Sequence, residues 1–249
     1  MKNKSTNDFY TRKSNDYINN YNINGSEEDW IVENSKHKVS GINNYFELIK
    51  KDLPDWIKIA LDIGTGPAAR EPIRYYNWGW KPFATDISQS VVDQARSNYG
   101  KLTNEVLEIT DFDILNAPSI HFPKFDFISC LNVIQHFESK EDLIKLSSFI
   151  KNQSNDKSFF LILFKRADFN VEKTIELGLN FSTIQNKPER FNFFDKTFNE
   201  WRLYQTFLTN YVIEVFDEIG FHPYPNSQFS VLKFYNTRRF PCSLVLFSK

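Results

Sequence analysis

The sequence predicts an α/β protein: a doubly wound, mostly parallel seven-stranded sheet with one antiparallel edge strand and helices on both faces. Three observations carry this expectation. From about residue 40 onward, short apolar runs alternate with helix-like segments, the pattern of crossover units and a parallel sheet. The run Ile59-Ala60-Leu61-Asp62-Ile63-Gly64-Thr65-Gly66-Pro67-Ala68 reads as a buried strand that ends in an acid, turns on two glycines and restarts at a proline. Near the C-terminus, strand-like runs at 228–235 and 241–248 follow a helical segment and supply an antiparallel hairpin at the sheet edge.

Residues 1–39 form an N-terminal extension rich in Asn, Ser, Lys and Tyr. Tyr10, Tyr17 and Tyr21 are spaced for one helical face, and a purely solvated tail has no use for such anchors. Two readings stand for it: a flap that brings Tyr10 and Tyr17 over a substrate pocket, or a surface helix docked on the domain. Residues 40–249 read as one domain, without repeats or low-complexity linkers.

Within it, Ile42, Tyr45, Phe46 and Ile49 mark a helical stripe that Pro54 closes. Strands are expected at 58–63, 82–86, 105–109, 125–131, 158–164 and in the two C-terminal runs. Helices are expected near 67–77, 88–99, 140–151 and 196–219. Pro67 suits a first helical position, where its missing N–H costs nothing. Ser88, followed by Val91, Val92 and Ala95, reads as a capped helix start. Residues 166–195 break the alternation, being polar and aromatic by turns. An insertion at the carboxyl end of a parallel strand lies beside the ligand crevice of such folds, so this is the expected substrate lid.

Composition narrows the function classes. The chain has 249 residues, 41% apolar and 16% aromatic, which is ample for one packed α/β domain. The aromatic excess reads first as core filler and second as a pocket lining. A net charge of −1 leaves no strong field to recruit nucleic acid. Cys130 and Cys242 sit in apolar strand-like runs and read as buried free thiols in a reducing compartment. His37, His121, His136 and His222 are scattered without ligand spacing, so no metal site is expected. No apolar run approaches the roughly 20 residues needed to span a bilayer, and the N-terminus lacks a signal-peptide core. A soluble, cytoplasmic protein is expected, with monomer and homodimer both open.

The chemistry gathers around the glycine turn. Only glycine tolerates positive φ freely and leaves no Cβ to clash with a ligand. Gly64, Gly66 and Ala69 satisfy the loose dinucleotide pattern G-x-G-x-x-G/A. An acid two residues before the first glycine suits a nicotinamide dehydrogenase poorly, because pyrophosphate is itself anionic. A cofactor with a cationic group and no phosphates suits Asp62 better, through contact with an ammonium directly or through water. Asp86 ends the next strand, where a carboxylate can accept both hydroxyls of a ribose. Asp111 follows the third strand, where it can accept an adenine exocyclic amine while the Phe112 backbone meets the ring edge. Three acids at successive parallel strand ends define one elongated site.

On these residues the chain resembles the class I S-adenosylmethionine-dependent methyltransferases of small-molecule type. ALDIGTGPA is similar to the first motif of that family, ATDIS to the second, ITDFDIL to the third and FDFISCLNVIQHF to the fourth. Ala68 stands where a third glycine is frequent. The resemblance implies S-adenosylmethionine as cofactor. Asp62, Gly64, Thr65 and Gly66 would hold its methionine part, Asp86 and Ile87 the ribose, and Asp111 with Phe112 the adenine. Leu131 and Asn132, with Val133, would flank the methyl donor.

Such a reaction asks the protein to align a nucleophile and, where needed, to remove its proton. His136 is the candidate base, since imidazole titrates near neutral pH; the competing reading is a packed residue in a turn. Arg166, at a strand end on the active edge, is a candidate anchor for a phosphate or carboxylate of the acceptor. The Arg238-Arg239 pair reads first as a solvated turn. Leu131-Asn132-Val133-Ile134 lacks the Pro-Pro-aromatic turn of amino-directed DNA methyltransferases. The Pro-Cys nucleophile of cytosine-C5 enzymes and the paired-glutamate loop of protein-arginine enzymes are missing as well. A small-molecule acceptor methylated on O or N is therefore expected, with an RNA or protein methyltransferase as the alternative and an NAD(P)-dependent oxidoreductase behind it.

Overall fold

The computed structural model describes residues 8–9, 11–13, 30–33, 39, 41–117, 119–169, 190–195, 200–235 and 240–249, with backbone only over 190–195 and 200–203. The strands are β1 (Ile31–Val32), β2 (Ile59–Ile63), β3 (Lys81–Asp86), β4 (Glu108–Asp111), β5 (Phe125–Leu131), β6 (Ser154–Lys165), β7 (Arg190–Asp195), β8 (Glu200–Gln205), β9 (His222–Pro223), β10 (Val231–Tyr235) and β11 (Pro241–Ser248). The helices are α1 (Gly41–Asp52), α2 (Arg70–Asn77), α3 (Gln89–Thr103), α4 (Lys140–Gln153) and α5 (Thr209–Asp217).

The main sheet has nine strands in the order β1-β10-β11-β6-β5-β2-β3-β4, with β9 pairing on β11. Strands β4, β3, β2, β5 and β6 are mutually parallel. β11 runs antiparallel to β6, and β10 antiparallel to β11, so the C-terminal hairpin extends the parallel core as expected. Within this sheet, the strands beyond the expected seven are β1 and β9, two residues each. Such short pairings leave too little periodicity to be read from sequence.

Successive residues of a strand face opposite sides of the sheet, and β6 shows this plainly. Phe159, Leu161 and Leu163 join a core with Tyr45, Phe46 and Ile49 of α1 and Tyr75 of α2. Phe160, Ile162 and Phe164 join the opposite core, with Leu146 and Phe149 of α4 and Val212 and Phe216 of α5. Burying each such side chain contributes about 1.5–3 kcal/mol, and a strand apolar on both faces is what helices on both sides require. Among the described residues, no helix is long and apolar enough to cross a membrane.

Two expectations change. The helix after the glycine turn begins at Arg70 rather than Pro67, because Ala69 adopts a left-handed φ of 49° and Pro67–Ala69 belong to the turn. The helix expected over 196–219 is instead strand β8 followed by α5, and β8 pairs antiparallel with β7 in a separate two-stranded sheet. Aromatic-rich segments such as RFNFFD and EWRLYQ fit a pleated surface well, and their pairing overrides the helical reading. Most of the expected lid, 170–189, lies outside the described residues, as do Tyr10, Tyr17, Tyr21, Arg238 and Arg239.

Candidate active site

The glycine turn leaves β2 and is clamped onto the neighbouring strand. The N–H groups of Gly64 and Thr65 both donate to the Thr85 carbonyl, at 2.8 and 3.1 Å. Gly64 has φ +70°, and a Cβ there would lie 2.4 Å from Cγ2 of Val133. Gly66 has φ +66°, and a Cβ there would meet nothing within 4 Å. One glycine thus admits the loop after β5, while the other keeps backbone bare toward open space.

Asp86, at the end of β3, draws this turn together. Its Oδ2 accepts the Gly66 N–H at 3.1 Å and its Oδ1 the Ser88 N–H at 3.2 Å. The side chain is buried, and burial pushes its carboxyl up to about 6 against the pull of backbone donors from Gly66, Ser88 and Ile87. Asp111 stands beside it in parallel register at the end of β4, and is exposed. The Phe112 N–H donates to the Asp86 carbonyl at 2.8 Å, so that backbone donor already serves the sheet. The Phe112 ring packs 5.7 Å from Phe149.

Asp62 faces inward. It is 2% exposed, and its Oδ1 accepts the Ser129 hydroxyl at 2.5 Å. Ser129 Oγ in turn accepts the Tyr75 hydroxyl at 2.7 Å. Burial, reinforced by the nearby Glu71 carboxylate, raises the Asp62 carboxyl well above the ordinary range. Glu71, which the sequence reading passed over, is 4% exposed in the first turn of α2. Its Oε1 has no hydrogen-bond partner, with Arg70 at 3.8 Å. Two buried carboxylates beneath a glycine turn fit a cofactor with a cationic end, and Asp86 fits a diol beside it. Only the acid in a helical first turn hinted at Glu71, and such an acid ordinarily reads as a dipole partner.

A second cluster lies at the carboxyl ends of β5 and β6. Asn132 follows β5 with φ 58°, and its N–H donates to the Leu163 carbonyl at 2.8 Å. Leu131 is half-buried and packs on the core that faces α1. His136 ends a short 3-10 turn and meets the Tyr204 ring edge-on, with centroids 5.3 Å apart. Tyr204 lies 6.5 Å from Phe240. Lys165, the last residue of β6, donates to Oδ1 of Asn132 at 3.3 Å. Lys165, Tyr204 and Phe240 were not expected at the site. A lysine closing the apolar run SFFLILF was the one available signal.

Arg166 departs from the anchor role expected of it. The side chain is 1% exposed; its guanidinium bonds Glu33 and the Asp168 carbonyl and lies over the Tyr235 ring. It ties the segment after β1 to the end of β6. Ser88 precedes α3 as expected but makes no side-chain cap bond. Its hydroxyl instead meets Thr11 of the N-terminal extension at 2.9 Å and Ser90 at 3.1 Å.

Residues 61–147 match a family model described as a methyltransferase domain. The fold is similar to magnesium protoporphyrin IX methyltransferase from Synechocystis, solved with bound S-adenosylmethionine: TM-score 0.61 at 12% identity, over 99% of this chain and 96% of that one. It is similar to an S-adenosylmethionine-dependent methyltransferase from Clostridium acetobutylicum, with TM-score 0.56 at 15% identity over 82% and 87% of the two chains. A third likeness is to a phosphoethanolamine N-methyltransferase of Haemonchus contortus, solved with phosphomonomethylethanolamine and S-adenosylhomocysteine. There the TM-score is 0.54 at 16% identity, over 86% of this chain and 44% of that one. No curated protein matches the chain in sequence. Residues 61–147 are thus similar to a methyltransferase domain, and the chain shares the Rossmann-like fold of structures solved as S-adenosylmethionine-dependent methyltransferases.

Proposed function

We propose that the protein transfers a methyl group to an oxygen or nitrogen of a small-molecule acceptor held at the carboxyl ends of β5 and β6. The observation that carries this reading is the Asp86 carboxylate bound beneath the glycine turn by the Gly66 N–H at 3.1 Å, with Asp62 and Asp111 at the flanking strand ends. When bound, the cofactor supplies a methyl group on a sulfonium, already an electrophile.

The chain's own residues bind and orient. Asp86 accepts ribose hydroxyls, with Ile87 alongside. Asp111 and Phe112 flank the adenine, while Gly64, Thr65 and Gly66 present bare backbone. Asp62 and Glu71 supply negative potential for the ammonium end. Leu131 and Asn132 border the reacting end, and His136, half-buried against Tyr204, is placed to take a proton from the nucleophile. The Thr11–Ser88 bond supports the N-terminal extension as a flap over the ribose end.

A net charge of −1 supports a small acceptor over RNA, and two of the similar structures are named for enzymes of small molecules. The buried free thiols Cys130 and Cys242 support a reducing, cytoplasmic setting. The test is turnover with labelled S-adenosylmethionine against small hydroxylated and amino metabolites, bulk tRNA and protein extract. Release of S-adenosylhomocysteine with small molecules alone is expected. Turnover that depends on RNA or protein overturns the acceptor class.

A further inference from the structure

Lys165 continues the face of β6 that carries Phe159, Leu161 and Leu163, and it is 6% exposed. Its ammonium meets Oδ1 of Asn132 at 3.3 Å, Sγ of Cys242 at 3.4 Å, and the Phe240 ring face at 5.6 Å. Among the described residues, every one of these partners is uncharged. An ammonium taken out of water is costly unless an anion or several strong acceptors compensate it. One amide oxygen, a weak thiol acceptor and a ring face offset only part of that cost. Among the described residues no carboxylate pairs with Lys165, whereas the adjacent Arg166 has Glu33.

Where Lys165 lies bears on which kind of anion would compensate it. Lys165 ends β6 and Asn132 follows the neighbouring parallel strand β5, at the edge that carries the glycine turn. From Lys165, aromatic side chains run toward the candidate base: Phe240, then Tyr204 at 6.5 Å, then His136 at 5.3 Å. A point charge at one end of a ring-lined wall fits a flat apolar body with a single anionic group. A phosphate, which prefers several donors or an arginine fork, fits it less well.

We infer that Lys165 is the anion anchor of the acceptor site and that the acceptor is an aromatic carboxylate, its charge on Lys165 Nζ and its ring against Tyr204 and Phe240. This rests on the methyl-transfer reading of the same edge. The test uses 4-hydroxybenzoate and its neutral isostere 4-hydroxybenzamide as probes, titrated by calorimetry into the protein saturated with S-adenosylhomocysteine. The acid is expected to bind wild type about tenfold or more tighter than the amide, the margin of a charged hydrogen bond. Lys165→Met, which keeps the stem and removes the charge, is expected to bind the two alike while still binding S-adenosylhomocysteine. Equal affinities in wild type, no binding of the acid, or a preference that survives in Lys165→Met overturns the inference. Wild type that fails to bind S-adenosylhomocysteine overturns the methyl-transfer reading itself, and this inference with it.

Discussion

Gly66 and Asp86, 20 residues apart in sequence, are joined by a 3.1 Å hydrogen bond from the Gly66 N–H to the Asp86 carboxylate. This bond fastens the glycine turn to the end of the next strand, joining the two sides of the proposed cofactor cradle. It also leaves a carboxylate that is buried before any ligand arrives.

That burial sets a pH dependence. Burial holds the Asp86 carboxyl at about 6, above its ordinary 3.8, so it gains a proton as pH falls through 6. Ribose hydroxyls donate to the ionised form and hold its pKa down, so binding releases a proton in that range. Affinity for S-adenosylhomocysteine is expected to fall as pH drops below about 6, with calorimetry in buffers of different ionisation enthalpy detecting the released proton. Asp86→Ala abolishes the dependence and weakens binding by about tenfold or more. Unchanged affinity in that variant is incompatible with the ribose assignment.

The two glycines of the turn are expected to fail differently. Gly64→Ala meets Val133 Cγ2 at 2.4 Å in addition to its φ of +70°, so it loses stability by well over the roughly 1–2 kcal/mol of left-handed strain alone. Gly66→Ala carries the strain without the clash. It should remain folded yet lose cofactor affinity, because the open space beside it is where the proposed cofactor would lie. Urea denaturation separates the two, and Val133→Ala should recover part of the Gly64→Ala loss.

Ser129 stands between Tyr75 and Asp62. Removing its hydroxyl leaves a buried carboxylate short of a donor, a loss of about 1–3 kcal/mol. The Asp62 carboxyl is raised in the folded chain, so its contribution to stability is greatest at low pH and is lost as pH rises. Ser129→Ala raises it further. The deficit of this variant is therefore expected to be larger at pH 8 than at pH 5 in paired denaturation curves, an ordering that a simple cavity effect does not produce. Tyr75→Phe should show the same trend more weakly.

Glu33 is the carboxylate partner of a guanidinium that is 1% exposed. Removing one member of a buried pair costs about 3–5 kcal/mol, because it strands the other charge. Glu33→Ala is expected to approach the lower end of that range, since Glu33 itself is partly exposed. Hydrogen exchange should locate the loosening at β1 and its partner β10. Full stability in this variant means that Arg166 is compensated elsewhere.

The strand-end positions of the acids in the candidate site were legible in the sequence. Asp62, Asp86 and Asp111 close β2, β3 and β4 or lie within them on one edge, as the alternation of apolar runs implied. The segment 196–219 was misread because strand pairing is a relation between segments: β8 exists through its register with β7, and no periodicity within one segment reports that.

By itself, the sequence determined the parallel sheet, the glycine turn and the order of acids along it. Those follow from local apolar patterning and from a topology that gathers carboxyl ends on one edge. Only the tertiary structure decided which way each polar group faces. Asp62 turns to Ser129 across 67 residues, Arg166 to Glu33 across 133, and Lys165 to Asn132 and Cys242 across 33 and 77. The cost of a buried charge depends on which neighbours the fold brings within hydrogen-bond reach, and chain position alone does not specify those neighbours.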